Sequence, residues 1–207
     1  MSITHDDVSA YGLRWLLTRG WCSTAAMEIS YAQGRLDAVG VSVDHGHELA
    51  RYKAEWEHHL NEIVEARQRG EKMKRKRAAH WPKTAVAPQI GFVEAKATRA
   101  DLMSDLRQKK MHTYSPWCSH AWLLVTKQAL LLDVGATSRD CRAAVEDLDL
   151  PEKWGLLVVP DRGKDPISVI SARRLREVTS EECAAWRVRI GRSLAWRALN
   201  AAGMGNP

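Results

Sequence analysis

The chain has a single Phe, Phe92, beside nine Trp and four Tyr, and it lacks three common signals altogether: a CxxC pair, a long apolar run and an internal repeat. No segment reaches the ~18 apolar residues that span a bilayer, which excludes a transmembrane helix from the reading. Cys22, Cys118, Cys141 and Cys183 are too scattered for a zinc ribbon or a redox pair and read as reduced, mostly buried thiols. Residues 1–20 lack the basic start and unbroken apolar core of a secretory leader, so a cytoplasmic location is expected. The shortage of Phe says nothing beyond packing, although Trp can also stack on bases.

At 207 residues the chain is long enough to bury a substantial core, and 45% hydrophobic with 27% charged residues is ordinary for a globular domain. One domain over 1–207 is therefore expected, with residues 44–89 as a helical basic insertion within it. The formal net charge is +6. Its distribution is more informative: residues 67–83 hold eight Lys or Arg against one acid, Glu71, and the rest of the chain is close to neutral. A basic cluster of that density suits phosphate contact, with Lys72, Lys74, Arg75, Lys76 and Arg77 at its centre. Nothing in it resembles base readout.

Hydrophobic spacing predicts an opening helix over 6–19, an extended piece over 22–30 and a strand over 35–43. From 47 to about 77, Leu49, Tyr52, Trp56, Leu60 and Ile63 step by three or four, giving a long helix with one narrow apolar stripe. That stripe fits packing against the chain's own core; over 47–67 it also offers a homodimer seam. Strands are predicted over 90–97, 121–127, 129–134, 154–160 and 167–171. Helices are predicted over 99–114 behind a Thr98 cap, over 140–148, and over 180–202 capped by Ser180. The order argues for an α/β fold, a mixed sheet flanked by helices.

Two acids stand inside apolar strands. A carboxylate there is costly unless paired, hydrogen-bonded or bound to a cation. Asp37 lies in RLDAVGV, and Glu94 in IGFVEAKA with Lys96 two residues on. Alternation puts Glu94 and Lys96 on one face and Ala95 on the other. Two acids and a lysine at one sheet end would suit a hard divalent ion such as Mg²⁺, with Mn²⁺ as substitute, beside a positioned amine.

Asp37 followed by Glu94-Ala95-Lys96 resembles the signature of the PD-(D/E)XK, or restriction-endonuclease-like, nuclease superfamily. The run EAKATRADLMSDL, 94–106, is similar to the E-x-K-x-S/T-R-A-D-F/L block of small bacterial and phage members, the MmcB-like DNA repair proteins among them. Lys109, Lys110 and Tyr114 resemble the Lys and Tyr those proteins carry on the same helix, and WGLLVV, 154–159, their final strand. The resemblance implies a restriction-endonuclease-like mixed sheet of four to five strands flanked by helices, with the insertion lying between its first two core strands. It also implies Mg²⁺-dependent hydrolysis of DNA phosphodiester bonds in repair, recombination or phage DNA processing. Asp37, Glu94 and the Ala95 carbonyl would hold the metal, Lys96 would assist the water, and Glu28 would be an outer acid. Arg35, Arg99, Lys109, Lys110 and Tyr114 would contact or support the DNA backbone.

The rival reading is a catalytically inactive DNA-binding or accessory protein that retains the nuclease fold. His45, His47, His58 and His59 have no standard zinc spacing and no nearby cysteine.

Overall fold

The structure is a computed structural model, and it describes residues 3–19, 22–31, 34–42, 58, 61–66, 68–70, 88–146, 148–161, 165–202 and 204. The chain forms two compact units, Met1–Val43 with Pro88–Pro207, and Asp44–Ala87. In the second unit residues 61–66 are helical. Residues 58 and 68 are helical as well and 69–70 form a turn, whereas the other positions of the expected 47–77 helix, most of its homodimer seam and the basic cluster at Lys72, Lys74, Arg75, Lys76 and Arg77 lie outside the described residues.

The first unit opens with α1 (His5–Thr18), where Thr4 and Asp7 cap each other's backbone reciprocally. Six strands follow in one sheet whose spatial order equals the chain order: β1 (Thr24–Tyr31), β2 (Gly34–Ser42), β3 (Gln89–Lys96), β4 (His120–Val125), β5 (Gly155–Val158) and β6 (Ile167–Ile170). β3, β4 and β5 run parallel; the pairings β1–β2, β2–β3 and β5–β6 are antiparallel. The sheet is therefore mixed, but it has six strands where four to five were expected. The added member is the antiparallel edge β1, read as a short extended piece; the other antiparallel edge, β6, falls where a strand over 167–171 was expected.

Alternation along the central strands separates two cores. Ile90 and Phe92 of β3, with Leu123 and Val125 of β4, pack on α2 (Arg99–Arg107) and α4 (Ser180–Ala201) through Leu102, Trp186 and Ile190. Val93 and Ala95, with Trp122 and Leu124, pack on α1 through Val8 and Leu16. A Cβ on Gly12 would stand 2.9 Å from Val93 Cγ1, so glycine lets α1 seat that closely on β3. Among the described residues no helix is long and apolar enough to cross a membrane.

Four element boundaries differ from the sequence reading, among them the helix expected over 140–148, which forms only over Ser138–Ala143. Residues 129–134 are not a strand: Gln128–Leu130 form a 3-10 turn, Leu131 has φ 61° and the Leu132 amide returns to the Lys127 carbonyl. Burying Ala129 and Leu130 in that turn satisfies the apolar run without a sheet partner. α2 stops at Arg107 rather than near 114, because Lys109 takes a left-handed conformation (φ 51°) and a 3-10 turn, Lys110–Thr113, follows. α4 is capped by Thr179 in a capping box with Glu182, not by Ser180. The short helix α3, Ser138–Ala143, starts behind Thr137 in the same way.

Candidate active site

Although 56 residues separate Asp37 from Glu94 in sequence, β2 and β3 are direct antiparallel neighbours with Ala38 opposite Val93. One step beyond that pair, Asp37 stands opposite Glu94. The backbone ladder ends there, and the Ala95 amide donates to Asp37 Oδ2 at 2.8 Å instead. Asp37 Oδ1 lies 3.1 Å from His5 Nε2 on α1. The side chain thus closes the open end of the β2–β3 pair.

Glu94 is 2% exposed. Its Oε1 accepts from Lys96 Nζ at 2.8 Å and from Lys110 Nζ at 2.9 Å, while no donor among the described residues reaches its Oε2. Burial, and after it the neighbouring Asp37 carboxylate, raise the Glu94 pKa above the usual carboxylate value; Lys96 and Lys110 only partly counter this.

Lys96 is held from both sides, since Asp105 Oδ2 on α2 lies 2.6 Å from its Nζ. Burial pulls an ammonium toward neutrality, but Glu94 and Asp105 outweigh that pull and the Lys96 pKa is raised. Lys96 is accordingly a fixed cation and hydrogen-bond donor, not a base. Lys110 follows the same pattern: burial lowers its pKa, Glu94 more than offsets it, and the net shift is upward. Burial raises the Asp105 carboxyl but the Lys96 ammonium prevails, leaving its pKa lowered. Three carboxyl groups (Asp37, Glu94, Asp105) thus stand against two ammonium groups (Lys96, Lys110), with the His5 imidazole beside Asp37.

The break after Arg107 explains how Lys110 reaches this site. The left-handed Lys109 redirects the chain, and Lys110 turns back toward Glu94 while its side chain stays 37% exposed. Lys109 itself is exposed. Tyr114 is buried, with Lys110 Nζ 5.9 Å from its ring centroid, so it supports the site from within. Burial, then the Glu94 charge, raise its phenol pKa. Arg99 donates to the Ala129 carbonyl at 3.3 Å and so braces the 3-10 turn.

Glu28 and Arg35 are placed one strand out. Glu28 pairs with Arg35 at 3.2 Å and with Arg197 at 3.6 Å. It lies between the pairs Met27↔Ala38 and Ile29↔Leu36, hence opposite Asp37, and has φ 51°. That irregularity breaks the alternation: Ala26 and Ile29 join one core cluster, as do Val39 and Leu36, although each pair is three residues apart. Glu28, Asp37 and Glu94 thus form a row across three strands, spanning two inter-strand spacings or ~10 Å.

Two members of the site escaped the sequence reading. Asp105 shares the buried stripe of α2 with Leu102 and Leu106, and an acid at i+3 on an apolar helical stripe was a readable signal. His5 follows the α1 cap and had no signal of its own.

No protein-family model matches the chain, and no curated protein matches it. Among solved structures the chain is similar to the SPO1766 protein of unknown function from Silicibacter pomeroyi, with 15% sequence identity and a TM-score of 0.53 over 98% of this chain and 94% of that one. At that identity the likeness is one of fold.

Proposed function

We propose that this chain is a Mg²⁺-dependent deoxyribonuclease with a restriction-endonuclease-like fold, hydrolysing DNA phosphodiester bonds in repair, recombination or phage DNA processing. The observation that carries the reading is the meeting of Asp37, Glu94 and Lys96 at one end of two paired strands, with a buried Glu94 Oε2 left without a donor. A buried carboxylate oxygen in that condition is costly unless a cation takes it up, and the excess of carboxyl over ammonium groups in the cluster has the same remedy.

Among the described residues no group of three or more His, Cys, Asp or Glu side chains is placed to hold a metal ion; on this reading Mg²⁺ would rest on Glu94, Asp37, the Ala95 carbonyl and water, which Mg²⁺ retains readily. Each Asp37 oxygen keeps a second lone pair beyond its present hydrogen bond. The Ala95 carbonyl points to the β2 side with the amide that Asp37 receives, because a strand residue's N–H and C=O share a direction. Bound there, the ion would polarise the scissile phosphate and ease deprotonation of water. Lys96, fixed between Glu94 and Asp105, orients the attacking water and offsets charge that builds on the phosphorus oxygens. Lys110, half-exposed, adds a second positive charge on the approach side.

The test is cleavage of plasmid and linear DNA in Mg²⁺, in Mn²⁺ and in chelator. Wild type cleaves only with metal, and Lys96→Ala lowers the rate by about 10²- to 10³-fold, the effect of losing one preorganised donor. Wild-type rates in both Asp37→Ala and Lys96→Ala remove the reading.

One observation favours the accessory reading. Lys96 and Lys110 already occupy Glu94 Oε1 and reach Asp105, so the cluster is largely neutralised from within. Titration calorimetry with Mg²⁺ separates the two: absence of metal binding alongside salt-sensitive DNA binding selects the accessory role.

A further inference from the structure

The C-terminal helix carries a second concentration of positive charge. After Glu181 and Glu182 in its first turn, no Asp or Glu occurs from 183 to 207, whereas Arg187, Arg189, Arg192 and Arg197 do. Cys183, Trp186 and Ile190 form the inward stripe of α4. Arg189, Arg192 and Trp196 step by three and four along the stripe beside it, and all three are exposed. A single exposed Trp is ordinary. Trp196, however, is 55% exposed on an acid-free arginine face, and it borders a cavity.

That cavity, ≈ 280 Å³, lies between α4 (Arg189, Ser193, Trp196, Arg197) and the edge strand β1 at Glu28, Ile29 and Ser30. Its one acid, Glu28, is already neutralised by Arg35 and Arg197. The Arg197 guanidinium also donates to the Met27 carbonyl, which fixes the wall of the groove to the irregular point of β1. From Glu28 the row continues to Asp37 and Glu94, ~10 Å away.

We infer that this groove binds single-stranded nucleic acid, with Trp196 stacked on a base and Arg189 and Arg192 on the flanking phosphates, and that it leads the strand toward Asp37 and Glu94. The binding stands on the groove alone; the leading role rests on the nuclease reading. Single strands are the occupant because stacking on a side chain needs a base face that a duplex keeps covered. Guanidinium groups supply the charge and can themselves stack.

Anisotropy of a labelled oligo-dT with the full chain in chelator measures the binding without cleavage. Trp196→Ala weakens it about 5- to 150-fold, the loss of one base stack, whereas Trp196→Phe retains a ring and stays within about threefold of wild type. Arg192→Gln lowers the slope of log affinity against log salt by about 0.7, one phosphate contact on a single strand. A closed hairpin duplex binds without regard to Trp196→Ala. Oligo-dT affinity unchanged in Trp196→Ala overturns the inference, and so does an equal loss on the duplex. If Asp37→Asn abolishes Mg²⁺-dependent cleavage while Trp196→Ala binds oligo-dT normally, the groove assignment falls and the nuclease reading stands. Trp196-dependent binding in a protein that never cleaves gives the reverse.

Discussion

The two ends of strands β3 and β4 are built from opposite materials. At the end where both strands begin, Ser119 Oγ donates to the Ile90 carbonyl at 3.0 Å and accepts the Ile90 amide at 2.9 Å. His120 Nδ1 lies 3.1 Å from the same hydroxyl. A hydroxyl has one proton, already given to Ile90, so His120 donates from Nδ1 and the group is saturated. At the end where β3 finishes, Glu94, Lys96, Asp105 and Asp37 are buried charges joined by the half-exposed Lys110, and Glu94 Oε2 is left without a hydrogen-bond partner among the described residues. One end satisfies its polar groups with neutral partners and holds the strands together. The other keeps an electrostatic imbalance, which a fold does not need for stability and a site for a cation does.

Glu94→Gln is the sharpest way to break that contrast. On the nuclease reading proposed above it removes a carboxylate that would hold the metal, so cleavage is expected to fall by at least about 10²-fold. It also leaves two carboxylates facing two ammonium groups, and the amide oxygen can still accept from Lys96 and Lys110. The metal-free protein is therefore expected to gain stability at neutral pH, read as a rise in Tm by scanning calorimetry. The sign follows from linkage: a carboxyl whose pKa is raised on folding holds more protons folded than unfolded, so its penalty is present at neutral pH and fades as pH falls through the raised pKa. The advantage of Glu94→Gln accordingly shrinks in acid. A Tm lowered at neutral pH would show that the cluster is a structural ion-pair network.

How much of this was legible differs by residue. The shared face of Glu94 and Lys96 was, because side chains two apart on a strand point the same way, but the two faces of β4 were not, because AWLLV is apolar throughout. The direct pairing of β2 with β3 was not, since 56 intervening residues hide a hairpin-like neighbour and long loops close at little extra cost. The row from Glu28 to Glu94 depends on register and on one left-handed residue, neither of which has a signature in a non-glycine sequence. Lys110 was named as a DNA-backbone contact from its resemblance to a family lysine on the same helix; its pairing with Glu94 was not legible, because it depends on the break at Lys109. The arginine face of α4 was readable from its lack of acids, but the eye goes first to the denser run at 72–77.

At the neutral end the expected effect is on stability alone. Ser119→Ala strands the buried Ile90 amide without its acceptor, which costs about 1–3 kcal/mol. That corresponds to about 2–12 °C in Tm for a chain of this size. Metal-dependent cleavage per folded molecule stays at the wild-type rate. A variant that unfolds normally but cleaves slowly would mean that the two ends are coupled through β3.

The smallest effect is the response of this neutral end to acid, and it has the opposite sign from that at Glu94. Burial first, then the charge of Arg174, hold the His120 pKa below the usual imidazole value. A base with a depressed folded pKa binds more protons unfolded, so its contribution is intact above about pH 6.5 and is lost as pH falls from there through the lowered value. His120→Asn keeps a donor toward Ser119 and removes the titration. Comparing Tm at pH 7.5 and 5.5, wild type loses stability through His120 while recovering some at Glu94. His120→Asn should narrow the loss, whereas Glu94→Gln should widen it. Should both variants move the acid loss in one direction, the two ends do not hold opposite charge economies, and the contrast between a structural end and a functional end fails with them.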